Sequence, residues 1–164
     1  MPSEFTSAEI WRDLQILGQA LVALLLGGII GWERESQGKW AGFRTHMLVC
    51  FASMMLVAIS RLLIIDSQAL LQSDTLRVDP VRIIEAIVAG VAFLGAGTIF
   101  RDRENNMMHG LTTAASLLAV VPIGIAVAIQ RYVLAVGVTV LILFVLQGMK
   151  QVEKRWGPKA TPEE

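Results

Sequence analysis

The sequence has 164 residues, of which 54% are hydrophobic and only 17% charged, well below the roughly 25% charged that a soluble domain carries. Fourteen basic and fourteen acidic residues cancel, which excludes the cationic surface needed to neutralise nucleic-acid phosphates. Cys50 is the one cysteine, so intramolecular disulfides and cysteine-rich metal sites are excluded; within an apolar run it is expected to be a small packing residue.

Residues 1–13 carry Glu4, Glu9, Arg12 and Asp13, and the apolar run that follows is too long for a signal-peptide core, so the first helix is expected to stay in the mature protein. Residues 14–32 contain no charge over 19 positions, which at 1.5 Å per residue covers about 28 Å of a hydrocarbon core about 30 Å thick. A second span is read at 45–65, with Arg61 able to snorkel its charge toward the headgroups. The third covers 83–100 and is preceded by Asp79 as N-cap and Pro80 at the first helical position. Residues 65–78 between them read as a loop with an interfacial turn. A fourth span at 111–129 contains Pro122 and Gly124, read as a packing kink rather than a transport hinge. The fifth covers 132–149. The expectation is an all-α membrane protein, a bundle of about five transmembrane helices over residues 1–149, with a cytoplasmic tail at 150–164.

Five spans put the termini on opposite sides. Nine basic residues (Arg34, Lys39, Arg44, Arg101, Arg103, Lys150, Lys154, Arg155, Lys159) fall on one side and five (Arg12, Arg61, Arg77, Arg82, Arg131) on the other. Because cytoplasmic loops hold the excess of Lys and Arg, the N-terminus is expected outside and the C-terminus in the cytoplasm of a multi-pass plasma-membrane protein. Trp32, Trp40 and Trp156 on the nine-charge side fit interfacial anchors.

Small residues mark the expected helix contacts. Gln19, Ala23, Gly27 and Gly31 recur every four residues on one face of the first helix, which motivates an expected homo-oligomer, most simply a dimer. In the third helix Ala86, Gly90 and Gly97 form one small face and Ala89, Ala92 and Ala96 another, so this helix is expected to be central; Gly95 completes the set of packing glycines.

Glu85 is the carboxylate inside a predicted span and a candidate for a cation or proton role, although it lies three residues after Arg82 and near the positive end of the helix dipole, where a local pair is the structural alternative. Glu33, Arg34, Arg44, Thr45, His46, Arg101, His109, Thr112 and Thr113 all map to the cytoplasmic ends of helices one to four. They form either headgroup-level pairs such as Glu33 with Arg44, or a polar pocket or docking surface. His46 reads as an interfacial hydrogen-bonding residue rather than a metal ligand, since no His or carboxylate stands three or four positions on.

The segments 31–35 (Gly-Trp-Glu-Arg-Glu), 41–47 (Ala-Gly-Phe-Arg-Thr-His-Met), 93–101 (Phe-Leu-Gly-Ala-Gly-Thr-Ile-Phe-Arg) and 109–116 (His-Gly-Leu-Thr-Thr-Ala-Ala-Ser) together resemble the MgtC/SapB family of bacterial inner-membrane proteins. The sequence departs from the family pattern at Ala92, where a glycine is frequent, and at Glu85, where a small residue is common. Longer members carry a cytoplasmic domain after the last helix, so a short form with the transmembrane domain only is expected. The resemblance implies a family linked to adaptation to low magnesium. The function expected is a non-enzymatic regulator of magnesium or membrane-energy homeostasis that acts through another membrane protein and holds no cofactor; an oligomeric cation transporter or channel subunit is the alternative.

Overall fold

The computed structural model describes residues 7–71, 79–102 and 106–156, with the side chains of 66–71 and 149–156 outside that description. The chain runs α1 (Ser7–Ser36), α2 (Phe43–Leu71), α3 (Pro80–Ala96), β1 (Phe100–Arg101), β2 (Met108–His109), α4 (Leu111–Ala119), α5 (Val121–Ala128) and α6 (Tyr132–Trp156). Ser7–Ser36, Phe43–Ile65 and Leu111–Ala128 are each long and apolar enough to cross a membrane, while α3 and the apolar part of α6, Tyr132–Gly148, are shorter. The molecule is an all-α membrane bundle, as its composition requires. Expected boundaries move: α2 continues through Leu71 into the predicted loop, α3 ends at Ala96, short of the expected end of the third span at 100, with Phe100 in β1, and α6 continues through Trp156, past the expected end of the fifth span.

Where no hydrophobic effect drives helices together, close backbone approach and dispersion contacts must do so, and glycine permits both. The Gly27 and Gly31 face illustrates this. A Cβ on Gly27 would stand 2.7 Å from Cys50 Cβ and 2.8 Å from the His46 carbonyl oxygen, and one on Gly31 would stand 2.7 Å from Phe43 Cα. That face seats α2 of the same chain, because the short 37–42 connection brings α2 back along α1.

The middle of the bundle belongs to α5. Val121, Ile123, Gly124, Ala126, Val127 and Ala128 are all buried, and a Cβ on Gly124 would stand 2.3 Å from the Cys50 carbonyl oxygen. Pro122, which cannot donate to the helix ladder, lies at the exposed start of α5, and the ladder resumes with Gly124 N–H donating to the Val120 carbonyl at 3.3 Å. The expected fourth span is thus two short helices joined at Val120. Arg61 donates from Nη1 to the Ala128 carbonyl at 2.9 Å, satisfying an acceptor at the end of α5.

The third helix is peripheral, contrary to its expected central place. Asp79 caps it, accepting from Val81 N–H at 2.9 Å with Pro80 beside it, but only Ile87, Val91 and Gly95 are buried. Ala89, Ala92 and Ala96 are exposed. Small side chains permit close approach without compelling it, and here no second neighbour takes that face. A Cβ on Gly95 would stand 3.4 Å from Ala114 Cβ of α4, whereas Gly97 is the C-cap of α3 and Gly90 has open space beside it.

Candidate functional site

The end of the bundle where α1 meets α2 and α3 meets α4 collects the buried charge. Glu33 and Arg34, adjacent on α1 and only 5% and 4% exposed, form an ion pair through Glu33 Oε2 and Arg34 Nε. They are the only charged side chains in the buried set among the described residues. Glu33 Oε1 is buried with no hydrogen-bond partner. The structure therefore pairs Glu33 with its own neighbour; Arg44, the second residue of α2, is exposed and makes no ion pair among the described residues.

His46 is fully buried and joins two elements. Its Nδ1 lies 2.9 Å from the Gly42 carbonyl, so that nitrogen carries the proton, and Nε2 lies 3.0 Å from Ser116 Oγ on α4. Ser116 Oγ in turn lies 2.8 Å from the Thr113 carbonyl and donates to it. Ser116 has a single hydroxyl proton, and with Nδ1 protonated His46 Nε2 can only accept, so the Thr113 carbonyl and Nε2 compete for that one proton. His46 also lies within electrostatic reach of Glu33 and Arg34. The result is a polar latch between α2 and α4, with the α1 ion pair beside it.

The surrounding turns are held by short-range bonds. Gly38 adopts φ +64° at the end of α1, where its N–H donates to the Glu35 carbonyl at 2.9 Å. Glu35 Oε2 accepts from Phe43 N–H at 2.8 Å and so caps α2 from the preceding helix. At the α3–α4 corner β1 and β2 form a two-stranded hairpin pairing Phe100 with His109 and Arg101 with Met108. Phe100 stacks on His109 with centroids 5.4 Å apart and takes Trp40 edge-on at 5.4 Å. Arg101 bonds the Asn106 side chain. Gly110 follows at φ +88°, and a Cβ there would fall 1.9 Å from the Thr98 carbonyl oxygen, so only glycine fits.

Of the residues singled out in the sequence, Glu33, Arg34, His46 and Thr113 are brought together and buried, with Thr113 1% exposed. Arg44, Thr45, Arg101 and Thr112 are exposed at the same end of their elements. Glu85 is elsewhere: it is exposed on α3 and makes no salt bridge with Arg82 among the described residues. Ser116, the partner of His46, escaped the sequence reading because nothing local marks a serine 70 positions away. Trp40 and Phe100 were likewise missed as a contact, although both are aromatic residues next to basic ones. No group of three or more His, Cys, Asp or Glu able to hold a metal ion occurs among the described residues.

A membrane bundle latched at one end by buried polar residues is the class of protein that these features define. The model of the MgtC family matches residues 20–155, and the chain belongs to that family. It is 36% identical over 135 residues to the protein named "Putative magnesium transporter YhiD" of Escherichia coli K12, covering 82% of this chain and 60% of that protein. It is 37% identical over 117 residues to the "Protein MgtC" of Brucella abortus, covering 71% of this chain and 44% of that one. Similarity to the "Protein SapB" of Bacillus subtilis is 31% over 151 residues, covering 92% of this chain and 63% of that protein. The match thus spans about half to two thirds of the length of these curated relatives. No solved structure matches.

Proposed function

We propose that the chain is a non-enzymatic regulator in the bacterial inner membrane, linked to magnesium homeostasis and acting through a partner membrane protein that docks at the latched end. The observation that carries this reading is the distribution of buried polar groups. The buried charges sit together at one end, while mid-bundle Ser53 and Thr139 direct their hydroxyls to carbonyls four residues back in their own helices, each at 2.8 Å. Among the described residues no buried charged side chain lies mid-bundle to draw a cation across. The exposed rim of the latched end, with Arg44, Trp40 and Phe100, offers the aromatic and arginine side chains that anchor protein contacts. The magnesium link rests on family membership and on the name of the Escherichia coli relative.

The alternative, an oligomeric cation transporter, draws on that same name and on Glu85, whose exposed position on α3 would let copies of the chain line a shared path. Two measurements separate the readings: magnesium flux into proteoliposomes holding the purified chain, and rescue of low-magnesium growth in a deletion strain. The regulator reading expects rescue without flux, with Arg44→Lys impairing rescue at normal membrane levels and Glu85→Gln having a milder effect. Flux that Glu85→Gln abolishes would move the transporter reading ahead.

A further inference from the structure

Two apolar grooves open sideways from the bundle. One, about 350 Å³ between α4 and α6, is lined without a charged side chain. The other, about 470 Å³ between α2 and α3, runs from Arg44 and Thr45 past Leu48 to Leu56 on one wall, with Gly90 and Leu94 on the other. Its one charged group lies at one end, and Ser53, partway along, donates its hydroxyl to the Val49 carbonyl. Neither the Arg44 nor the Thr45 side chain has a protein partner among the described residues.

Length and charge together restrict what can lie in the α2–α3 groove. From Arg44 to Leu56 the helix rises about 18 Å, close to one leaflet of a hydrocarbon core about 30 Å thick. A transmembrane helix would run the full thickness and, if apolar, would cover the guanidinium without neutralising it. A phospholipid is one leaflet deep, apolar along its tail and anionic at its head, and an arginine fork can hold a phosphate through two hydrogen bonds. Gly90 supplies a separate indication. A mid-helix glycine weakens a helix relative to alanine, yet a Cβ there would meet nothing within 4 Å. Neither a close backbone nor a positive φ requires it. Its effect is to widen the groove; Gly18 and Gly137 are equally open but line neither groove.

We propose that the α2–α3 groove binds one anionic phospholipid, with an acyl chain against Leu48, Leu56, Gly90 and Leu94 and its phosphate held by Arg44 and Thr45. This rests on the membrane placement of the bundle and not on the regulator reading. The test is native mass spectrometry of the full chain released from nanodiscs of phosphatidylcholine with a minor share of phosphatidylglycerol. The wild type should retain phosphatidylglycerol several-fold above its share of the bilayer. Arg44→Gln, at an exposed position, should reduce that enrichment to the bulk ratio. Gly90→Leu should eliminate the adduct by filling the groove, with circular dichroism and gel filtration confirming that the variant is folded. Retention of the two lipids by the wild type in bulk proportion, or an adduct that survives Gly90→Leu in folded protein, overturns the proposal. So does a lipid-free dimer that Gly90→Leu dissociates, which would make a second copy the occupant.

Discussion

Arg34 and Gly110 are each held by something that a substitution would expose. Arg34 is 4% exposed and neutralises a carboxylate that is buried with it. Removing one member of such a pair leaves the other uncompensated, whereas removing both together can be close to neutral. Arg34→Met should therefore lower stability by about 3–5 kcal/mol, and Glu33→Gln combined with Arg34→Met should recover most of that loss. Thermal unfolding in detergent reads both; equal melting of Arg34→Met and wild type would mean that water reaches Glu33. Gly110→Ala faces two obstacles at once, φ +88° and a carbonyl oxygen 1.9 Å from the new Cβ. Its corner cannot close as it stands, so the variant should be recovered from membranes at a small fraction of the wild-type level. A melting temperature and yield equal to wild type would show that the corner relaxes freely.

Helix contacts separate glycines that look alike in the sequence. Gly124→Ala should destabilise the bundle, because the added methyl would lie 2.3 Å from a backbone oxygen of α2 that cannot swing aside. Gly90→Ala should be neutral or stabilising by up to about 1 kcal/mol, the helix-propensity difference. Melting curves of the two variants side by side check this, and a destabilising Gly90→Ala would mean that another element fills the groove. The contrast marks what was legible. The long apolar runs, the Asp79–Pro80 start of α3 and the small-residue face of α1 could all be read from local pattern, since each is set by residues near in sequence. Which helix that face would meet could not, and the alanines of α3 misled because smallness allows contact without causing it. The central place of α5 was hidden for the same reason: an all-apolar helix has no face to read. At the latched end, position along the chain brought out Glu33, Arg34, His46 and Thr113, but their partners depend on how α1, α2 and α4 close together. That is why Glu33 was set against Arg44 and Ser116 was overlooked.

For the molecule as a whole, orientation decides which compartment the latched end faces. The basic residues divide nine to five in favour of the side carrying Arg44, Arg101 and the C-terminal residues, and the excess of Lys and Arg marks the cytoplasmic side. The structure qualifies that count. Arg34 is buried against Glu33 and Arg101 bonds Asn106, while on the opposite side Arg61 is tied to the Ala128 carbonyl, so two charges on one side and one on the other are engaged by the protein and the bias keeps its direction. Most of the remaining bias comes from Lys39, Arg44, Arg103 and the cluster at Lys150, Lys154, Arg155 and Lys159, spread over three separate connections. No single substitution should reverse it. A reporter fused after Glu164 is expected to be active only in the form that requires the cytoplasm, one inserted near Ser73 only in the form that requires export, and Arg44→Gln should leave both results as they are. A periplasmic signal after Glu164 would turn the molecule over, place the latched end outside the cell, and remove the basis for a cytoplasmic-side partner.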